Sequence, residues 1–205
     1  MYVMDADGSE QRRLTHTPEA EAFSSWSPDG EKLAYVTDFF GDNPSIWVMV
    51  ADGSGHKKRL HDGTWPSWSP DGERIVYTTG GWNDQRLSVM NADGSGQRKL
   101  PGMASEPAWS PDGNRIAYVS GDMGVGKEDV YVMNTDGTPR TRLTKIPGND
   151  HWPPTWSPEG TRIAFTSEGA KDDADAHIYV MNSDGSGLTK LTDDPAYDSF
   201  PVWRP

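Results

Sequence analysis

Short alternating runs, separated by turns rich in glycine and proline, set the pattern of this chain. Lys32-Leu-Ala-Tyr-Val-Thr37 and Arg162-Ile-Ala-Phe-Thr-Ser167 place β-branched and aromatic residues with a period near two, as a half-buried strand requires. Each follows a Ser-Pro-Asp-Gly or Ser-Pro-Glu-Gly turn. A second kind of run, such as Tyr179-Val-Met181, leads into Asp-Gly, whose tolerance of positive backbone angles suits a tight hairpin. No stretch sustains apolar residues at helical spacing, and 22 Gly with 16 Pro would interrupt one. The pattern predicts an all-β protein.

These runs recur. Tyr2-Val-Met4-Asp-Ala-Asp7-Gly8 returns at Trp47 to Gly53, Ser88 to Gly94, Tyr131 to Gly137 and Tyr179 to Gly185. The Asp-Gly pairs are spaced by 45, 41, 43 and 48 residues. Trp26-Ser-Pro-Asp-Gly30 recurs at Trp68, Trp109 and Trp156, the last with Glu159 in place of Asp, and shortens to Trp203-Arg-Pro205 at the end. Each unit reads as four strands: a carries the Trp, b the alternating run, c the Met run, and d ends in Leu-Thr or an equivalent. Four strands in about 40 to 45 residues are the mark of a propeller blade. A sandwich is the less suitable alternative, since it has no need of the same Trp and Met in every unit, whereas identical inter-blade wedges do.

The run Ile178-Tyr-Val-Met-Asn-Ser-Asp-Gly185, Leu191-Thr192, Trp156-Ser-Pro and Arg162-Ile-Ala-Phe-Thr-Ser resembles the WD-repeat-like repeats of TolB-like β-propellers over essentially all 205 residues. The resemblance implies a single propeller domain over 1–205, with repeats roughly at 1–45, 46–86, 87–129, 130–177 and 178–205. It also implies a periplasmic or extracytoplasmic bacterial setting, although no secretory signal is visible in the sequence. TolB-like proteins carry an N-terminal domain before six blades; no such domain is expected here. Five blades are expected, the last a composite in which residues 201–203 supply strand a and residues 1–15 supply c and d, with no strand b; the alternatives are a fragment of a larger propeller and a ring completed by a second copy. The unpaired edges of such a blade would attract other strands.

Composition adds restrictions. Leu, Ile, Val and Phe amount to 31 residues and the net charge is −12, which alone would suggest disorder; 9 Trp, 7 Tyr and 8 Met indicate an aromatic core instead. The negative field disfavours nucleic acid as a partner. No apolar run of about 18 residues is present to span a bilayer. Without cysteine, disulfides and thiol chemistry are excluded.

Propeller connectivity puts the a-b and c-d turns on one face and the b-c and d-a connections on the other. The first set is short and uniform. The second is variable: 38–45, 80–86, 121–129 and 168–177 from b-c, and 17–25, 62–66, 101–107, 146–154 and 193–201 from d-a. Binding residues favour variable loops on a rigid scaffold. Residues just before each repeat Trp should ring the mouth of the channel, and the candidates for ligand binding are Glu21, Phe23, Trp65, Trp82, Glu106, Asp150, His151, Trp152, Asp198 and Phe200. Rings paired with carboxylates suit a saccharide or a cationic peptide segment. The competing reading makes Phe23, Trp65 and Phe200 inter-blade core. The repeat tryptophans, Trp26 among them, are expected to be core.

Other chemistry is sparse. Asp5-Ala-Asp7-Gly8 lacks the twelve-residue ligand ladder of an EF-hand. Asp172, Asp173, Asp175 and His177 form the densest acidic group, a weak calcium candidate, but no metal or cofactor is assigned. Nucleophile-elbow, zinc-protease and phosphate-loop motifs are missing, so no catalytic residue is assigned. The sequence therefore favours a non-enzymatic binding or scaffold module that presents its channel mouth to a protein segment or saccharide. One alternative is a polysaccharide hydrolase or lyase using Glu106 with Asp198 or Asp150. The other is an assembly unit that self-associates through the incomplete blade.

Overall fold

The computed structural model describes the chain apart from positions 53, 82–83, 122–127, 147–148, 169–174, 194–195 and 205, and at 149–151 it describes the backbone alone. Among these residues there is no helix and there are eighteen strands. After a short pair, β1 (Tyr2–Val3) and β2 (Arg12–Arg13), come four sheets of four. Blade 1 is β3 (Glu21–Trp26), β4 (Lys32–Thr37), β5 (Ser45–Val50) and β6 (Lys57–Asp62). Blade 2 is β7 (Thr64–Trp68), β8 (Arg74–Thr79), β9 (Arg86–Asn91) and β10 (Arg98–Lys99). Blade 3 is β11 (Ser105–Trp109), β12 (Arg115–Gly121), β13 (Glu128–Asn134) and β14 (Arg140–Arg142). Blade 4 is β15 (Asn149–Trp156), β16 (Arg162–Glu168), β17 (Ala176–Asn182) and β18 (Thr189–Lys190). Every blade pairs its strands antiparallel in sequence order, so the fold is an all-β propeller with a fifth, incomplete blade.

The turn sequence explains each a-b corner. The Ser27 hydroxyl donates to the Asp29 carboxylate and accepts from the Lys32 N–H, while the Gly30 N–H closes on the Ser27 carbonyl. The same bonds recur around Ser69 and Ser110. At the other turns of this face, Asp7, Asp52, Asp93, Asp136 and Asp184 each accept the N–H of the residue two ahead. The serine hydroxyl bonds hold Asp29, Asp71 and Asp112 below the usual carboxylate range. Much of the acidity is thus spent on turn geometry.

Successive blades interlock through the repeat tryptophans. Trp68, Trp109 and Trp156 are 7%, 7% and 6% exposed. Arg74 lies 4.9 Å over the Trp109 ring, Arg115 4.8 Å over Trp156 and Arg162 4.8 Å over Trp203, so the first residue of strand b covers the Trp of the next blade. The indoles of Trp156 and Trp203 donate to the Ala108 and Thr155 carbonyls. At the outer edge, Arg12 reaches the carbonyls of Ala51 and Asp52, Lys58 that of Asp93, and Arg98 those of Thr135 and Asp136.

The composite blade follows from this scheme. Its strands c and d are β1 and β2, packed on blade 1 through Leu14 and Val3 beside Leu33, Tyr35 and Met49. Residues 201–203 stand where strand a belongs and dock on blade 4 through Trp203. They form no ladder, because in an a-b-c-d sheet strand a pairs only with b, and the described residues place no b there. The expectation that all repeat tryptophans are core fails at one position for the same reason: Trp26 is 47% exposed, having no strand b over it.

Candidate functional site

Each innermost strand breaks its ladder at the same place. The pairing of β3 with β4 skips between Ala22 and Ser25, that of β7 with β8 between Thr64 and Ser67, that of β11 with β12 between Ser105 and Ala108, and that of β15 with β16 between His151 and Thr155. These are β-bulges, and the first bulged residue is left-handed: Phe23 (φ 51°), Trp65 (52°), Glu106 (55°) and Trp152 (73°). Phe200 repeats the conformation at 56° before residues 201–203. Outside the first blade a proline follows each, where a residue without an N–H is tolerated because the ladder is already broken. Opposite every bulge lies a fully buried ring, Tyr35, Tyr77, Tyr118 or Phe165. Burial pushes the Tyr35 and Tyr77 hydroxyls up to about 12.

The bulges bring the predicted rim together. Phe23 lies 3.4 Å from Trp65 between ring centroids, Trp65 6.2 Å from Trp152, and Trp152 4.8 Å from Phe200. Trp65 belongs to blade 2 and Trp152 to blade 4, which are not neighbours, so their contact crosses the axis. The four rings form a plug. On one side of it, a channel of about 290 Å³ is walled by Pro66, Pro107, Pro153, Pro154 and Pro201. On the variable face lies a cleft of about 1130 Å³ over blades 1 to 3, bordered by Trp65, Trp152, Glu106, Phe39, Phe40 and Glu128.

The remaining candidates divide. Glu106 borders the cleft and donates its N–H to the Thr78 hydroxyl of the preceding blade. Asp198 is half-buried, its N–H bound to the Ala176 carbonyl. Glu21 is turned inward: its carboxylate accepts from the Met1 amino group at 2.7 Å and from the hydroxyls of Thr15 and Thr17. Burial works against its charge, but these bonds outweigh that and hold its pKa low. Asp150 and His151 lie on β15 opposite Ser167 and Thr166. Trp82, Asp172 and Asp173 lie outside the described residues. His177 is buried in blade 4. Among the described residues no group of three or more His, Asp or Glu is arranged to hold a metal ion.

Sequence reasoning missed Phe39 and Phe40. Phe39 packs edge-on to Phe23 at 4.4 Å and extends the plug towards the cleft, while Phe40 is almost wholly exposed. The available signal was two adjacent aromatics in an otherwise polar b-c loop.

The TolB beta propeller domain model matches residues 1–101 and 66–205. Among solved structures, the chain is similar to TolB from Acinetobacter baumannii, with 19% identity, a TM-score of 0.79, and coverage of 97% of this chain and 50% of that one. A putative TolB from Agrobacterium tumefaciens is similar at 22% identity and TM-score 0.68, over 89% of this chain and 84% of that one. An oligogalacturonate lyase from Vibrio parahaemolyticus is similar at 17% identity and TM-score 0.66, over 93% of this chain and 59% of that one. The chain spans half the length of the Acinetobacter protein. At such identities the structural likeness speaks for the fold alone.

Proposed function

Since the chain belongs to the TolB beta propeller domain family, we propose that it works as a non-enzymatic binding module whose channel mouth holds a protein segment or a saccharide. The observation that carries this reading is the plug of four rings from four blades, held in left-handed bulges beside a cleft large enough for several residues or sugar units. Strained backbone that persists at one register gathers at ligand-contacting positions more often than elsewhere. Trp65, Trp152, Phe23 and Phe200 would supply stacking area, and Glu106, Asp150, His151 and Asp198 polar orientation; Glu21, taken up by Met1 and two threonines, is the weakest member of the set. The domain is read as one unit over 1–205 in a periplasmic setting, by analogy with the family.

Titration with panels of peptides and oligosaccharides tests the reading. Trp65→Ala and Trp152→Ala should each weaken a ligand at least tenfold while melting remains cooperative. A ligand whose affinity neither change alters would remove the rim from the site. The fold's occurrence in an oligogalacturonate lyase supports a second reading, cleavage of polysaccharide by mouth carboxylates. Turnover of a glycan that Glu106→Gln abolishes, with binding retained, would replace the first reading by the second.

A further inference from the structure

One position breaks the repeat in the middle of the chain. On the face that each blade turns to the one before it, strands b, c and d align a ring, a second ring and a cation. The registers are Tyr35↔Trp47↔Arg59 in blade 1, Tyr118↔Tyr131↔Arg142 in blade 3 and Phe165↔Tyr179↔Lys190 in blade 4. The β1–β2 pair keeps the last two members as Tyr2↔Arg13. In blades 3 and 4 the second ring is partly buried against the preceding blade and stacks on the first at 5.7 Å. A strand d cation lies over it, Lys57 over Trp47 at 5.5 Å and Arg140 over Tyr131 at 5.9 Å. In blade 2 the register reads Tyr77↔Ser88↔Lys99, so a hydroxymethyl group stands where every other strand c has Tyr or Trp. The ring that Tyr77 meets is instead His61 of blade 1, at 5.5 Å and tilted by 55°, which helps to keep Tyr77 buried. The cleft of about 1130 Å³ borders Tyr77, Ser88 and Lys99, and none of the other three rows.

We propose that this slot is a subsite for one planar aromatic ring of the ligand, a phenol or an indole, which takes the place that Tyr131 and Tyr179 fill in their own blades. The ring lies at Ser88, bordered by His61 and by Lys99, whose exposed ammonium can face its π-surface. The Thr79 and Ser88 hydroxyls, 3.1 Å apart, give the slot a polar floor on which a phenol O–H or indole N–H can bond. An aromatic ring is favoured over an aliphatic group or a sugar because the scaffold shapes itself around Trp or Tyr at this register four times, at Tyr2, Trp47, Tyr131 and Tyr179. The inference rests on the binding reading above, since the slot opens into the cleft that also borders Trp65 and Trp152, and it names the chemistry of one group of the ligand. That ring can come as a free phenol or as a side chain of a protein segment.

The probes are p-cresol and N-acetyltyrosinamide, titrated into the 205-residue protein and followed by NMR. At least one should saturate with a Kd of about 1 mM or tighter, and 4-methylcyclohexanol, the saturated analogue of p-cresol, should bind at least tenfold more weakly than p-cresol. Tighter binding of N-acetyltyrosinamide assigns the ring to a protein segment, tighter binding of p-cresol to a free phenol. Ser88→Tyr supplies the ring from the chain itself, so it should abolish probe binding and raise the melting temperature. Lys99→Ala, at an exposed position that leaves the fold intact, should weaken the probes about threefold. Trp65→Ala should leave p-cresol binding unchanged, which separates the slot from the rim: a longer ligand weakened by Trp65→Ala but not by Ser88→Tyr would keep the mouth reading and remove the slot. The proposal is also overturned if neither probe saturates by about 10 mM, if the saturated analogue binds as well as p-cresol, or if Ser88→Tyr lowers the melting temperature, since the seam would then have no room for a ring.

Discussion

Trp26 and Trp109 occupy the same place in blades 1 and 3, so alanine at each position in turn isolates what the neighbouring blade contributes. Trp109 is 7% exposed and carries Arg74 at 4.9 Å over its ring; Trp26 is 47% exposed and carries no such cation among the described residues. For a large aromatic exposing roughly 250 Å² when free, that contrast is about 100 Å² of unburied surface, or about 2.5 kcal/mol at about 25 cal/mol per Å². Trp109→Ala should therefore show the full cost of a buried aromatic, about 3–5 kcal/mol, and Trp26→Ala only about 0.5–2.5 kcal/mol. For a chain of this size 1 kcal/mol moves the melting temperature by about 2–4 °C. Calorimetric melting should thus separate the two variants by roughly 5–10 °C, with urea titration confirming the order. The substitution is chemically identical in both cases, so effects on the unfolded chain largely cancel. Equal losses, or a larger loss at Trp26, would show that something covers Trp26 in solution and would refute the account of an open composite blade.

Two further outcomes follow from local geometry. Gly63 (φ 148°) precedes the bulge of blade 2, and a Cβ there would sit 2.6 Å from the Thr78 carbonyl oxygen and 2.9 Å from the Tyr77 ring, so Gly63→Ala should destabilise by about 1–3 kcal/mol; an unchanged melting temperature would mean that the corner shifts freely. Asp29, Asp71 and Asp112 have lowered pKa values through their serine hydroxyls, so their stabilisation is complete above the unfolded carboxylate value of about 3.9 and is lost as pH falls through the lower folded values. Melting temperature should be flat from pH 7 to about 5 and fall below about 4, less steeply in the Asp29→Asn, Asp71→Asn, Asp112→Asn triple variant; the same acid slope in both proteins would remove these turns as its source.

What could be read in advance is what the chain encodes locally. The Ser-Pro-Asp-Gly corner closes within five residues, so its hydroxyl, carboxylate and glycine announce it without tertiary knowledge. Repetition then converts four such corners into blades. Trp26 escaped because its motif is letter for letter that of Trp109, and its environment depends on whether the neighbouring blade supplies a strand b, which nothing in the motif records. Glu21 escaped likewise, since its partners Met1 and Thr15 belong to the composite blade. The left-handed bulges did leave a trace: proline within a would-be innermost strand at Pro66, Pro107, Pro153 and Pro201 marks a broken ladder. Nothing local, however, tells that Trp65 will meet Trp152 across the axis.

The bulge connects the fold to the proposed function. A regular innermost strand would alternate its side chains between the two faces of its blade, and none would point steadily down the channel. Inserting one extra residue against a buried ring, and turning the first bulged residue left-handed, redirects that side chain towards the axis. The conformation disfavours any residue but glycine by about 1–2 kcal/mol, yet four of the five positions hold Phe or Trp and the fifth Glu. Packing among Phe23, Trp65, Trp152 and Phe200 offsets part of this cost, which accounts for the aromatic positions as core. Glu106 holds the same conformation on the border of the open cleft, a charged group where the other four positions are aromatic. Glu106 is therefore the position at which packing and binding make opposite demands. Glu106→Trp should complete the ring and raise the melting temperature, while abolishing recognition of any ligand that the carboxylate orients; a variant both more stable and equally competent in binding would assign all five positions to the core.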